Sequence, residues 1–182
     1  MHYLSITFED GKFVATGSDQ RSLRFTVSAQ GLTFVDKQVN NPGLTNNGNV
    51  LVSNGSKMLV MGNKTWSSDD HGATWKENRN MKLFQVKSAL STGKVWLAGT
   101  MFGKVLFSAD GAKFEEGPSK LSDYPVQGLA QSGGQFFAVH QDADVLSVSK
   151  DGKTWTKQPF KVQSEEAGLT MTFLTILGAD VK

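Results

Sequence analysis

The chain of 182 residues contains no cysteine. Disulfides, thiolate metal ligands and a cysteine nucleophile are therefore excluded. Arginine is almost missing too, at positions 21, 24 and 79 only. So few guanidinium groups are a poor endowment for nucleic-acid recognition. Charge of one sign is also missing: 19 basic and 17 acidic side chains leave +2, scattered along the chain. That pattern reads as solvated strand faces, with no nucleic acid and no membrane among the expected partners. The longest charge-free apolar stretch near the C-terminus, Gly168 to Ala179, is too short to span a bilayer. The opening Met1-His2-Tyr3-Leu4-Ser5-Ile6 lacks the basic region and apolar core of a secretion signal, so the chain as written is expected to be cytoplasmic. No helical periodicity of useful length and no low-complexity linker occurs. A chain of this size buries roughly 70% of its unfolded surface, enough for one domain.

What is present is glycine, at 19 residues, phenylalanine, at 12, and one short motif said four times. The motif is Ser149-Lys150-Asp151-Gly152-Lys153-Thr154-Trp155. It recurs at Ser108-Ala109-Asp110-Gly111-Ala112-Lys113-Phe114 and at Ser68-Asp69-Asp70-His71-Gly72-Ala73-Thr74-Trp75. A worn copy stands at Ser28-Ala29-Gln30-Gly31-Leu32-Thr33-Phe34. The closing aromatics Phe34, Trp75, Phe114 and Trp155 are spaced by 41, 39 and 41 residues. A fixed period of about 40 residues marks a repeat architecture. Within the motif, Asp bonds backbone N–H groups a few residues on, and Gly supplies the positive φ of a tight bend. Ser adds a local hydroxyl bond, and the aromatic opens the next strand as a wedge against a neighbouring unit. The aspartates then cap turns; catalytic aspartates do not recur in the same turn of every repeat.

These residues resemble the Asp-box, or BNR repeat, S-x-D-x-G-x-T-W, of sialidases, sortilin-type receptors and photosystem assembly factors. Only the copy at 68–75 has that full length; the others are one residue shorter. Gln30 replaces the Asp of the first copy, and Lys113 the Thr of the third. The resemblance implies an all-β propeller of four antiparallel four-stranded blades. Residues 1–182 then form one domain, with blades at about 1–40, 41–81, 82–120 and 121–162 and an extra strand at 168–177. In those families the motif is architectural and does not carry the chemistry.

Each repeat has the same interior. First strands are expected at 4–8, 50–53, 84–89 and 126–131, and second strands at 13–16, 58–61, 95–98 and 136–139. The second strands are apolar on both faces, as strands sandwiched between neighbouring sheets should be. Third strands at 24–28, 65–68, 104–108 and 144–149 lead into the motif, whose aromatic opens a fourth. The run Asn40 to Gly48 reads as a loop between the first two blades. The apolar run Leu169 to Leu177 matches the first strand of a fifth repeat and needs a cover. It either closes a single-chain ring on the first blade, the preferred reading, or helps a second copy complete a larger ring.

In a propeller the motif turns share one rim, and the blade-connecting loops share the other, where binding usually lies. Residues expected on that face include Arg21, Arg24, Arg79, Phe102, Tyr124, His140 and Asp142. Met101 and Phe102 at a loop tip either plug the channel or meet a partner. The stretch from His140 to Asp144 has metal-binding atoms, but its spacing fits neither a calcium loop nor a zinc site, so no metal and no cofactor is expected. Sialidases bring three arginines from different blades onto the substrate carboxylate, the first in an Arg-Ile-Pro-like stretch. No such stretch exists here, and two of the three arginines share one blade. A different glycosidase needs two facing carboxylates. Glu115-Glu116 and Glu165-Glu166 are sequence neighbours, which in a strand point to opposite faces. The expected function is a non-catalytic module that binds a protein or a glycan. A carbohydrate-active hydrolase is the alternative.

Overall fold

A computed structural model describes residues 2–18, 23–29, 33, 35–38, 50–62, 64–78, 85–118, 120–141 and 145–159; for 2–4, 9, 18, 23–25, 36–38 and 145 only the backbone course is described. Within these limits the chain is all-β, folded as four antiparallel four-stranded sheets taken in chain order. The first sheet holds β1 (His2–Glu9), β2 (Lys12–Ser18), β3 (Leu23–Ser28) and β4 (Val35–Gln38). The second holds β5 (Val50–Ser53), β6 (Met58–Met61), β7 (Thr65–Ser68) and β8 (Lys76–Glu77). The third holds β9 (Val86–Ser91), β10 (Trp96–Thr100), β11 (Val105–Ser108) and β12 (Glu115–Glu116). The fourth holds β13 (Val126–Ser132), β14 (Gln135–His140), β15 (Val145–Ser149) and β16 (Thr156–Pro159). The extra strand expected at 168–177 lies outside the described residues.

The turns form where the residues demand them. Between β13 and β14 the two connecting residues are Gly133 and Gly134, with φ of 56° and 73°, the left-handed pair that matches strand twist in a two-residue hairpin. Asp10 and Gly11 do the same between β1 and β2, with φ of 48° and 69°. A bulge recurs at one end of the innermost strands. Leu4, Lys87 and Gln127 are each skipped in the pairing with the second strand, at the same place in the first, third and fourth sheets. Such an extra residue increases local twist and bends the strand at the rim.

Packing follows a single rule: each sheet lays its near face on the far face of the one before. Leu51, Met58, Val60 and Trp66 of the second sheet bury against Val14 of the first, with Val27 and Trp75 at the margin. Trp96, Ala98 and Leu106 of the third bury against Val52, Leu59 and Met61 of the second. Leu129, Phe136 and Ala138 of the fourth bury against Leu97 of the third, with Leu90, Phe107 and Trp155 alongside. Being enclosed on both faces explains why β6 and β10 are buried at every residue and show no apolar–polar alternation. The innermost strands meet their neighbours in the order β1, β5, β9, β13. No packing of that extent brings the fourth sheet back to the first among the described residues. Among the described residues the four sheets are thus joined in series, first to fourth.

Candidate functional site

The four motif copies lie between the third and fourth strands, and three of them are described throughout. In the copy at 149–155, Ser149 Oγ donates to Asp151 Oδ1 at 3.0 Å. The same carboxylate oxygen accepts the N–H groups of Lys153 at 2.8 Å and Thr154 at 2.7 Å. Ser149 Oγ in turn accepts the Gly152 N–H at 2.8 Å, and Trp155 Nε1 donates to the Gly152 carbonyl at 3.1 Å. Around Asp110 the pattern repeats, with N–H bonds from Ala112 at 2.7 Å and Lys113 at 3.0 Å, a Ser108 hydroxyl at 3.0 Å, and the Gly111 N–H on Ser108 Oγ.

The longer copy differs by its extra residue. His71 and Gly72 are both left-handed, with φ of 54° and 83°, whereas Gly111 and Gly152 carry the bend alone. Asp70 accepts the Thr74 N–H at 2.7 Å on one oxygen and the Thr74 hydroxyl at 2.6 Å on the other. Those bonds, the Thr74 hydroxyl first, hold the Asp70 carboxyl down at about 2. The backbone N–H of Ala112 holds Asp110 below the ordinary carboxylate range, and that of Thr154 does so for Asp151. Each carboxylate is therefore ionised, with Oδ1 bonded by its own turn. A group in that state cannot serve as a general acid near neutral pH. Of the first copy, Ser28 is buried at the end of β3, and Gly31 and Phe34 lie outside the described residues. Phe114 and Trp155 are half-buried against the cores of the third and fourth sheets.

The opposite rim carries the loops between second and third strands and those between sheets. Its best described part joins two of them. After β10 the chain turns through Met101, Phe102, Gly103 and Lys104, pinned by a bond from the Thr100 N–H to the Lys104 carbonyl at 2.9 Å and a reciprocal pair through Thr100 Oγ1 at 3.1 Å. The Met101 N–H donates to the Gln85 carbonyl at 3.0 Å. Gly103 then meets the loop that leads to β13: its carbonyl accepts the N–H groups of Leu121 at 2.8 Å and Ser122 at 3.3 Å. Its backbone is left-handed at φ 71°, and a Cβ there would stand 1.8 Å from the Ser122 carbonyl oxygen. Only glycine permits this seating. Leu121 and Ser122 are buried under it, and the Ser122 hydroxyl accepts the Tyr124 N–H at 3.0 Å.

Two aromatic side chains stand out from the joined loops: Phe102 is 51% exposed and Tyr124 is 48% exposed. Beside Phe102 lies an open cleft of about 300 Å³ lined by Thr100, Phe102, Lys104 and Glu116. Its two charges are paired, Lys104 Nζ to Glu116 Oε2 at 2.6 Å. On the second loop Lys120 bonds Asp123 at 2.7 Å and holds that carboxyl below its ordinary range.

The other expected binding-face residues fall elsewhere. His140 ends β14 but is only 1% exposed; its Nε2 lies 2.9 Å from Ser147 Oγ on the adjacent strand. Its ring is turned into the sheet and is not offered on the loop face. Arg24 is described in its backbone only, opposite Gly17 and Gln38. Arg21, Arg79 and Asp142 lie outside the described residues. Glu115 and Glu116 do separate as alternation requires, Glu115 at 3.8 Å from Lys113 and Glu116 at Lys104. The Gly103 seat and the pairing of Lys104 with Glu116 escaped sequence reasoning. The available signal was a glycine placed directly after two large apolar residues in a turn, which fits a demand for close backbone approach.

No protein-family model matches the chain, and no curated protein matches it in sequence. Solved structures do match in shape. The chain is similar to YCF48 bound to D1 peptide, with a TM-score of 0.65 and 16% identity over 85% of this chain and 54% of that one. It is similar to virginiamycin B lyase from Staphylococcus aureus, with a TM-score of 0.65 and 14% identity over 90% of this chain and 56% of that one. It is also similar to a chain of the nidogen/laminin complex, with a TM-score of 0.63 and 10% identity over 85% and 64%. These are β-propellers, and the four sheets share their fold. The chain spans between about half and two thirds of the length of the structures it matches.

Proposed function

We propose that the chain is a non-catalytic binding module of Asp-box type that takes up a protein segment on its loop face, with Phe102 and Tyr124 as anchors. The observation that carries this reading is the Gly103 seat. It locks two loops together and holds both half-exposed aromatics on one stiff support. Aromatic anchors that are already fixed lose little conformational freedom on binding and dominate interface energetics. The paired Lys104 and Glu116 leave the cleft without net charge, which suits an apolar or mixed peptide better than a strongly charged ligand. The likeness to a propeller solved with a peptide and to one solved in a protein complex supports a protein ligand. The ionised, turn-bound aspartates of the opposite rim support the absence of a general acid there.

The test is selection from a phage-displayed peptide library, followed by affinity measurement on the wild type and on the Phe102→Ala/Tyr124→Ala double variant. The double variant should fold normally and bind the selected peptides at least about tenfold more weakly, the loss expected for anchoring aromatics. Equal binding by both proteins would remove the loop face from the mechanism. Turnover of chromogenic glycosides by the wild type would replace the binding module with the hydrolase.

A further inference from the structure

The far face of the fourth sheet is covered, although no described strand follows that sheet. Leu129, Phe136 and Ala138 lie on the third sheet, so Ala130, Phe137, Val139 and Val148 point the other way. Ala130 is nevertheless 3% exposed, Val139 4% and Val148 9%. On β16 the residues of the same face, Thr156 and Gln158, are exposed. With Gln135 and Val148 they line an open cleft of about 290 Å³ at the motif end. Burial thus falls on the inner strands of the face and stops before the outer one.

The face is also built as a receiving face. On the second sheet, Lys57 Nζ donates to the Asp110 carbonyl at 3.3 Å and Asn78 Nδ2 to the Ala112 carbonyl at 3.5 Å. Two side chains at the motif end there hold the turn of the next sheet. Gln135 and Gln158 take the corresponding places on the fourth sheet. Gln135 precedes Phe137 by two residues as Lys57 precedes Leu59, and Gln158 lies opposite Leu146 as Asn78 lies by Thr65. Both again carry amide donors.

We infer that the fourth sheet receives a fifth, whose innermost strand is this chain's own apolar run at 169–177. Leu169 stands 40 residues after Leu129, one period on. Leu169, Met171 and Phe173 alternate with Thr170 and Thr172, the pattern of a strand with one apolar face. An innermost strand is also what the burial asks for. Innermost strands meet along the described seams, β5 with β9 and β9 with β13, and cover the inner part of the preceding sheet. The other seat expected for the run, near the first strand, is open: Ile6 is 58% exposed and Phe8 59%.

Two measurements on the full chain test this. The photocrosslinker p-benzoylphenylalanine takes the place of Phe137, a half-buried side chain of the receiving face. On illumination it should join to residues 160–182 of the same chain, read by mass spectrometry of the digested protein. A crosslink to any other part of the chain, or to a second copy, overturns the inference. Hydrogen exchange should show 169–177 protected at least about tenfold over an unstructured peptide. Val148→Lys should remove that protection while circular dichroism keeps the strand content, and Phe8→Lys should leave it in place. Wild-type exchange at the unstructured rate overturns the inference, and so does protection that survives Val148→Lys. Protection lost in Phe8→Lys would put the run on the first sheet and overturn it as well. Should Val148→Lys fail to fold, the crosslink decides alone.

Discussion

Ser5 and Ser88 hold the same place in two different sheets, and each ties its innermost strand to the innermost strand of the next. The Leu51 N–H donates to Ser5 Oγ at 3.1 Å, and Ser88 Oγ donates to the Val126 carbonyl at 2.8 Å. Both follow the bulge residue of their strand, Leu4 and Lys87, which is where the ladder is interrupted.

Ser88→Ala should therefore cost about 1–3 kcal/mol, the loss for a buried acceptor left without its donor. The Ser5 bond is only partly buried, so Ser5→Ala should cost about 1 kcal/mol or less. Urea denaturation of the two variants gives both numbers. Equal, negligible losses would show that the neighbouring strands hold each other by side-chain packing alone.

The turn glycines answer to two demands, and substitution separates them. Gly152 has φ 75°, and a Cβ there would lie 2.9 Å from Leu97 Cδ2 of the preceding sheet. Gly133 has φ 56° with nothing within 4 Å. Gly133→Ala should cost only the left-handed penalty of about 1–2 kcal/mol. Gly152→Ala must add repacking in the seam, about 1–3 kcal/mol more. Thermal melts of the two variants should rank them in that order; the reverse order would mean that the seam has room the structure does not show.

Acid should weaken the fold over a defined window. Asp70 titrates at about 2 in the fold against an ordinary 3.8, and Asp110 and Asp151 are shifted the same way. The fold favours the ionised form, so the stabilisation is fully present above the unfolded value and is lost as pH falls through the folded one. Stability from chemical denaturation should hold level between pH 7 and 5 and drop between about pH 4 and 2. The gap between wild type and Asp70→Asn should narrow over the same interval. A gap that stays constant would assign the turn's strength to Ser68 and the backbone.

The sheet framework was legible in the sequence because the 40-residue period and strand patterning are local. The expected Val50–Ser53 and Met58–Met61 stand unchanged as β5 and β6, and the second strands are buried on both faces as their unbroken apolar runs implied. The loop face was only partly legible. Phe102 and Tyr124 are exposed there, but nothing near His140 in the chain signals that Ser147, seven residues on, draws its ring into the sheet. The Gly103 seat joins residues about 20 apart in sequence through backbone atoms, and a backbone contact leaves no side-chain signature to read.

The outermost strands β8 and β12 are two residues long, Lys76–Glu77 and Glu115–Glu116, and β16 ends on Pro159. The second and third sheets thus turn to their outer boundary a charged ladder of two residues, and the fourth one that ends on a residue without an N–H. A foreign strand arriving there finds few free donors and acceptors in a row, and it must approach ionised side chains to use them. Further strands are in this way discouraged from adding sideways, and growth is left to the broad apolar faces, where shape decides what fits.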